Sequence, residues 1–147
     1  MLKANPDSGF QWNIYSGTSF PLLDSNLVYK EINKHQFIPE ELLFQEIKRS
    51  AAYLVFFPYA DKDLISTKFF EIIYTQTPIL YVGEEGDVGR FIRENHLGVH
   101  VLPENMDRDL PKYLNGNVPA ERGYFDVEQY TFSNVTDKFL VAVKGLK

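Results

Sequence analysis

The sequence predicts an α/β domain in which helices cover both faces of an open parallel sheet. Residues 53–57 and 78–82 are continuous apolar runs, as expected for central strands that are buried on both faces. Amphipathic segments typical of helices separate the strand candidates, and this alternation indicates parallel pairing. The length of 147 residues suits one domain, residues 1–147. We therefore expect a single Rossmann-like domain.

Strand patterns occur in five segments. The segments are residues 10–15, a poorly bounded stretch within 27–38, 53–57, 78–82 and 99–102. Pro58, Gly83 and Pro103 directly follow the last three segments. Because proline and glycine interrupt regular structure, these residues mark the strand ends.

Helix patterns alternate with the strands. The predicted helices cover residues 39–49, 64–76, 88–95, a short stretch that ends at 114, and a final helix that ends near 143. Pro39 suits the first helical position of the first helix, and Asp87 is placed to cap the third. Gly98 is placed to end the third helix, and Ser133 is placed to cap the last. Residues 115–123 are predicted to form a loop.

Composition favours a folded, soluble intracellular protein. Hydrophobic residues make up 44% of the chain, and the lack of cysteine excludes disulfides and thiolate zinc sites. The net charge is −5 with no basic cluster, which argues against nucleic-acid partners and against a surface held on anionic lipid. No apolar run reaches transmembrane length, and the N-terminus lacks a signal-peptide pattern. We expect a cytoplasmic location and no transmembrane segment.

Several motif matches are too common to indicate a site. The D-x-D pattern of some metal-dependent transferases occurs twice, at 61–63 and at 107–109. His96 and His100 have the i,i+4 spacing of paired metal ligands, but Gly98 lies between them where helix gives way to strand. We therefore expect both histidines to be exposed to solvent. The sequence contains neither a P-loop nor a G-x-G-x-x-G or G-x-S-x-G motif.

The predicted helix 64–76 has an apolar surface with one polar stripe, formed by Thr67, Lys68, Glu71 and Thr75. One interpretation is a solvated stripe on which Lys68 pairs with Glu71 at i,i+3. The other is a stripe that faces a ligand cleft. Asp63, Ser66 and Thr67 are likewise common N-capping residue types, although free amides at such a helix start could hold a diphosphate.

The segment I-S-T-K-F-F-E-I-I-Y-T-Q-T-P-I-L, residues 65–80, resembles a family signature. That signature is the K-x-x-E-Y-x-x-x-G-K-P-I-L motif of retaining, family-four-type (group 1) glycosyltransferases of the GT-B fold. Residues 37–42 resemble the V-P-x-x-E-L segment of the family, and residues 83–88 and 98–99 resemble its next loop and strand. Residues 130–140 resemble its closing helix, so the resemblance spans about 37–140 in the family's order.

This resemblance implies a donor-nucleotide-binding site. It implies that Glu71 binds the ribose and that Ser66 and Thr67 face the diphosphate, with Lys68 and Gly86 in the same binding set. Asp63 stands where many members have a glutamate near the transferred sugar, but it is one methylene shorter. Further departures are Gln76 for glycine and Thr77 for lysine in G-K-P. The implied cofactor is a nucleotide-diphosphate sugar of UDP, GDP or ADP type, without an obligatory metal.

Members of this family also have an N-terminal acceptor domain, and no counterpart of it occurs in this sequence. The first strand of the donor domain also has no clear match. We expect a fragment or a stand-alone remnant that is inactive by itself, with peripheral membrane contact only through the missing domain. Two other functions remain open: a non-catalytic interaction or sugar-nucleotide-sensing module, and a sugar-nucleotide epimerase.

Overall fold

A computed structural model describes residues 11–18, 31–56, 62–114 and 125–144. The strands are β1 (Trp12–Tyr15), β2 (Ile32–His35), β3 (Tyr53–Phe56), β4 (Ile79–Val82) and β5 (Gly98–Val101). The α-helices are α1 (Glu40–Arg49), α2 (Thr67–Tyr74), α3 (Asp87–Glu94), α4 (Met106–Lys112) and α5 (Phe132–Lys144). Short 3₁₀ helices cover Pro103–Asn105 and Val127–Tyr130. The protein is therefore of the α/β class, as the sequence predicts.

The strands form two parallel sheets, whereas the sequence predicts one. β1 pairs with β2, and β4 lies between β3 and β5 in a three-stranded sheet. No backbone ladder joins the two sheets within the described residues. A strand pattern predicts an extended segment and its buried faces. It does not predict the partner strand, because the ladder uses backbone groups that every residue carries.

Both faces of the three-stranded sheet are covered, as predicted. One face of β4 packs with residues of α2 and α3 in a core of Val55, Phe69, Ile73, Ile79, Tyr81, Val88, Ile92, Leu97 and Phe125. The other face packs against α4 in a core of Leu80, Val82, Val101 and Leu110. All four residues of β4 are buried, since this strand lies in the centre of the sheet.

The prediction that residues 53–57 form a central strand is wrong in one respect. β3 does lie beside β4, with Tyr53 opposite Ile79 and Phe56 opposite Val82. However, it lies at the edge of the three-stranded sheet, and Phe56 is 57% exposed. An apolar run fixes the tendency to be buried, but the end position of an edge strand has fewer neighbours to cover it.

The ends of α3 are set by other residues than the sequence predicts. The N-cap of α3 is Gly86, and Asp87 is its first helical residue. After α3 the chain turns at His96, which has a φ of 52°, rather than at Gly98. Gly98 begins β5 with a φ of 155°, and a side chain there would collide with the backbone of Ile79. A glycine after a helix pattern thus serves the next strand, where close backbone approach requires it.

The last helix also begins differently. Thr131 precedes α5, and its Oγ1 accepts a hydrogen bond from the amide of Asn134 at 3.4 Å. Ser133, the predicted cap, lies inside the helix. Thr75, predicted to lie on the polar stripe of the 64–76 helix, is buried and donates its hydroxyl to the carbonyl of Ile72 at 2.7 Å.

Some predicted features fall outside the described residues, namely the loop 115–123, Phe10, Phe57 and Asp61. Across the described ranges, no helix is both long enough and apolar enough to cross a bilayer.

Candidate functional site

The start of α2 follows β3 at the carboxyl end of the sheet, where ligands of parallel α/β proteins bind. Ser66 is the N-cap, and its hydroxyl accepts a hydrogen bond from the amide of Phe69 at 3.4 Å. In the described part of the chain, the amides of Thr67 and Lys68 have no hydrogen-bond partner. Two donors at the positive end of the helix dipole are therefore available to an anion.

Lys68 joins two segments that are 28 residues apart in the sequence. Its Nζ lies 2.7 Å from Oε2 of Glu71 and 3.3 Å from Oε1 of Glu40 at the start of α1. The hydrogen bond to Glu71, and after it the one to Glu40, raises the pKa of Lys68, so the amine stays cationic. The sequence predicts the Lys68–Glu71 pair but not the contact with Glu40, because only tertiary packing brings α1 and α2 together.

Glu71 is the less exposed partner of this ion pair. Its side chain is 37% exposed, against 71% for Lys68. Only its Oε2 is engaged, since among the described residues Oε1 has no hydrogen-bond partner. Glu71 can therefore accept further hydrogen bonds without giving up Lys68.

Asp63 and Gly86 lie in contact, in the two loops that follow β3 and β4. Oδ1 of Asp63 accepts a hydrogen bond from the amide of Asp87 at 3.0 Å, and the carbonyl of Lys62 accepts one from Val88 at 3.0 Å. A Cβ on Gly86 would lie 2.7 Å from both Oδ1 of Asp63 and the Lys62 carbonyl oxygen. In this structure Asp63 caps α3, and Gly86 is the residue that allows this close approach.

The 83–86 loop is also tied to α3 by an ion pair. Arg93 lies 2.5 Å from Oε1 of Glu85 through Nη2 and 3.1 Å from Oε2 through Nη1. This bidentate hydrogen bond is the main cause that lowers the pKa of Glu85 and raises that of Arg93.

His100 corrects a sequence prediction. Its side chain is only 2% exposed, although both histidines are predicted to face solvent. The ring stacks on Tyr81, with centroids 4.7 Å apart, and both of its nitrogens are hydrogen-bonded. The local sequence gives no signal for this burial, because a polar residue that alternates with Val99 and Val101 in a strand is expected on the exposed face. His96, by contrast, is exposed as predicted.

The second D-x-D match has a structural explanation. Asp109 lies 2.7 Å from both Arg108 and Lys112, and these hydrogen bonds hold the pKa of its carboxyl well below the usual range. Within the described ranges, no group of three or more His, Asp or Glu side chains could hold a metal ion.

Two departures from the family signature lie between α2 and β4. Gln76 has a φ of 61°, a conformation that favours glycine, which the signature has at this position. Thr77 is buried, and its hydroxyl donates to the carbonyl of Ile47 at 2.8 Å. Beside this turn lies an open groove of about 270 Å³ bordered by Lys48, Tyr74 and Glu128, and it contains none of the predicted site residues.

Comparison with known proteins gives no match: no family model, no curated protein and no solved structure is significantly similar to this chain. Function therefore has to be argued from the site itself and from the motif resemblance.

Proposed function

We propose that this chain is the donor-binding part of a glycosyltransferase that moves a sugar from a nucleotide-diphosphate sugar to an acceptor, a glycan or a lipid-linked saccharide. The main support is the contact of Lys68 with both Glu71 and Glu40. The K-x-x-E and V-P-x-x-E-L segments, which the resemblance selects independently, meet in space through this lysine. A chance match of two separate segments would not require them to be in contact.

The chemistry of α2 suits a nucleoside diphosphate. The free amides of Thr67 and Lys68 would donate to phosphate oxygens, and the hydroxyl of Ser66 lies at the same helix start. Lys68 is the second residue of α2, so its amine adds a positive charge on the same first turn. The open Oε1 of Glu71 would accept hydrogen bonds from the ribose hydroxyls. In this proposal Gly86 keeps the neighbouring loop close to the phosphates, and Asp63, besides capping α3, lies nearest the transferred sugar.

Transfer itself would need a second domain to hold the acceptor. We propose that this partner is the N-terminal domain of the family, and that the full protein acts in the cytoplasm with any membrane contact made through that domain.

A second function is favoured by one observation. α5 has several exposed apolar side chains along its length, with Phe132 88% exposed and Val141 72% exposed. A non-catalytic interaction module would use such a surface for a protein partner. The two functions differ in one property, since only the first requires nucleotide binding by α2.

Calorimetric titration of the chain with UDP, GDP and ADP tests the proposal. We expect saturable binding of at least one of them, competed by its nucleotide sugar. Absence of binding by all three would contradict the proposal and leave the interaction module as the better explanation.

A further inference from the structure

The buried imidazole of His100 is fully hydrogen-bonded, although the proposed nucleotide contacts do not involve it. Its Nδ1 lies 2.6 Å from Nη1 of Arg93, and its Nε2 lies 2.7 Å from the carbonyl oxygen of Gly83. Burying a polar ring costs free energy unless its polar atoms find partners. Here Gly83 is the first residue of the 83–86 loop, and Arg93 belongs to α3, which follows that loop.

These two partners determine which nitrogen of the His100 ring bears the hydrogen. A guanidinium group only donates, so Nδ1 of His100 must accept from Arg93. A carbonyl only accepts, so Nε2 must bear the hydrogen that is donated to Gly83. Oε2 of Glu85 also lies 3.7 Å from Nδ1, but the 2.6 Å contact with Arg93 is the shorter one and decides the assignment.

Helix α3 leaves space for this ring. A Cβ on Gly89 would lie 2.5 Å from both Cε1 and Nδ1 of His100. Glycine inside a helix is less stable than alanine by about 0.5–1 kcal/mol. The chain therefore accepts a less stable helix at Gly89, where the imidazole packs against α3.

Further hydrogen bonds connect the 83–86 loop to the start of α2. Nζ of Lys62 donates to the carbonyl of Glu85 at 3.2 Å, and Asp63 accepts from the amide of Asp87. Residues 62–63 lie three to four positions before Ser66, the N-cap of α2, whose first amides are free. A displacement at Gly83 would therefore be passed to the turn that holds the proposed diphosphate.

We infer that His100 is a positioning residue that holds the 83–86 loop, and through it the phosphate-binding turn of α2, in the geometry that a nucleoside diphosphate needs. This inference rests on the proposed function for its ligand. The hydrogen-bonded cluster of Arg93, His100 and Gly83, which we call the clamp, does not depend on that function.

The test compares His100→Phe, which keeps the stacked ring but removes both hydrogen bonds, with His100→Gln, which keeps a donor and an acceptor. Amide hydrogen exchange reports on the loop through Gly83, Asp87 and Val88, whose amides are hydrogen-bonded. We expect exchange of these amides to quicken about tenfold in His100→Phe, with affinity for the nucleotide that binds best falling by a similar factor. His100→Gln should recover part of both effects. The matched control is His96→Asn, which changes an exposed histidine nearby and should change neither.

Three results would overturn the inference. The first is loop exchange in His100→Phe equal to that of the wild type, and the second is a uniform rise in exchange across β4 and β5. The third is unchanged nucleotide affinity despite a loosened loop. If His100→Phe fails to fold, Arg93→Met is compared with Glu85→Gln, because both disrupt the Arg93–Glu85 ion pair but only Arg93→Met also removes the hydrogen bond to Nδ1 of His100. We expect faster loop exchange in Arg93→Met than in Glu85→Gln, and equal exchange in the two would also overturn the inference. If the wild type binds no nucleotide, the proposed function and the positioning role both fail, whereas the exchange result still decides whether the clamp exists.

Discussion

At the scale of single residues, Glu71 distinguishes nucleotide binding from a plain ion pair. As a solvated partner of Lys68 it would add little to stability and nothing to binding. As a ribose ligand its charged carboxylate would accept hydrogen bonds from the ribose hydroxyls, and their loss is measurable in affinity.

We expect Glu71→Ala to weaken nucleotide binding about 10- to 100-fold while the fold is kept. Titration with the best-binding nucleotide measures the affinity, and circular dichroism checks the fold. Glu104→Ala, which removes an exposed carboxylate from a 3₁₀ helix, is the matched control and should bind like the wild type. Equal affinities of Glu71→Ala and the control would remove Glu71 from the site.

Glu85 gives the fold a dependence on pH. Its pKa is lowered chiefly by the hydrogen bond from Arg93, so its folded value lies below the ordinary 4.5. The carboxylate therefore stabilises the fold above pH 4.5, and this contribution is lost as the pH falls through the folded value.

We expect Glu85→Gln to lower the urea midpoint of unfolding at about pH 6, and the difference from wild type to narrow towards about pH 3. Because Glu85 is more than half exposed, the difference should be small. Glu104→Gln controls for the loss of charge and should show no such difference. A constant difference in urea midpoint between Glu85→Gln and wild type across this pH range would mean that ionised Glu85 does not stabilise the fold through Arg93.

At the scale of elements, position in the sheet decides what each apolar residue contributes. Ile79 on the central strand β4 is fully buried, whereas Phe56 at the end of the adjacent strand β3 is mostly exposed. Burial, and not the apolar run itself, determines the cost of truncation.

We expect Ile79→Ala to lower the free energy of unfolding by about 2–5 kcal/mol, because it opens a cavity in the core. Phe56→Ala should lower it by less than about 1 kcal/mol, although more atoms are removed. Urea unfolding of both variants measures the two values. If Phe56→Ala is as damaging as Ile79→Ala, some part of the chain covers Phe56 in solution.

The cap of α5 offers a second comparison. We expect Thr131→Ala to destabilise α5 by about 1 kcal/mol, since it removes the hydroxyl that accepts from Asn134. Ser133→Ala, inside the helix, should have little effect or raise helicity, because alanine is the better helix former. Helical circular dichroism of the two variants during thermal unfolding tests the assignment, and a larger loss in Ser133→Ala would reverse it.

At the scale of the whole molecule, the proposed nucleotide site supplies only one side of a transfer site, and the proposal assigns the acceptor side to another domain. Sugar transfer depends on holding the acceptor against the donor carbon, for which effective molarities of about 10⁵–10⁸ M are known. We therefore expect the 147-residue chain to transfer no sugar, even where it binds a nucleotide. Turnover of any nucleotide sugar by the purified chain, measured as released nucleoside diphosphate with an acceptor present, would contradict this.

The sequence by itself determined the features that depend on local pattern. Alternating apolar runs and amphipathic segments located β3, β4 and β5 and the helices between them to within a few residues. The i,i+3 spacing also predicted the pair of Lys68 with Glu71, because helix geometry alone brings such residues together.

Only the tertiary structure decided which positions are covered and which distant groups meet. His100 is buried because Tyr81 lies beside it and Gly89 of α3 leaves space above it, and Phe56 is exposed because β3 lies at a sheet edge. The contacts of Lys68 with Glu40 and of Asp63 with Asp87 join segments more than twenty residues apart. Local sequence encodes the hydrophobic periodicity of each helix or strand and the residues that can cap a helix. Burial and long-range contacts depend instead on how these elements pack, and no local pattern specifies that packing.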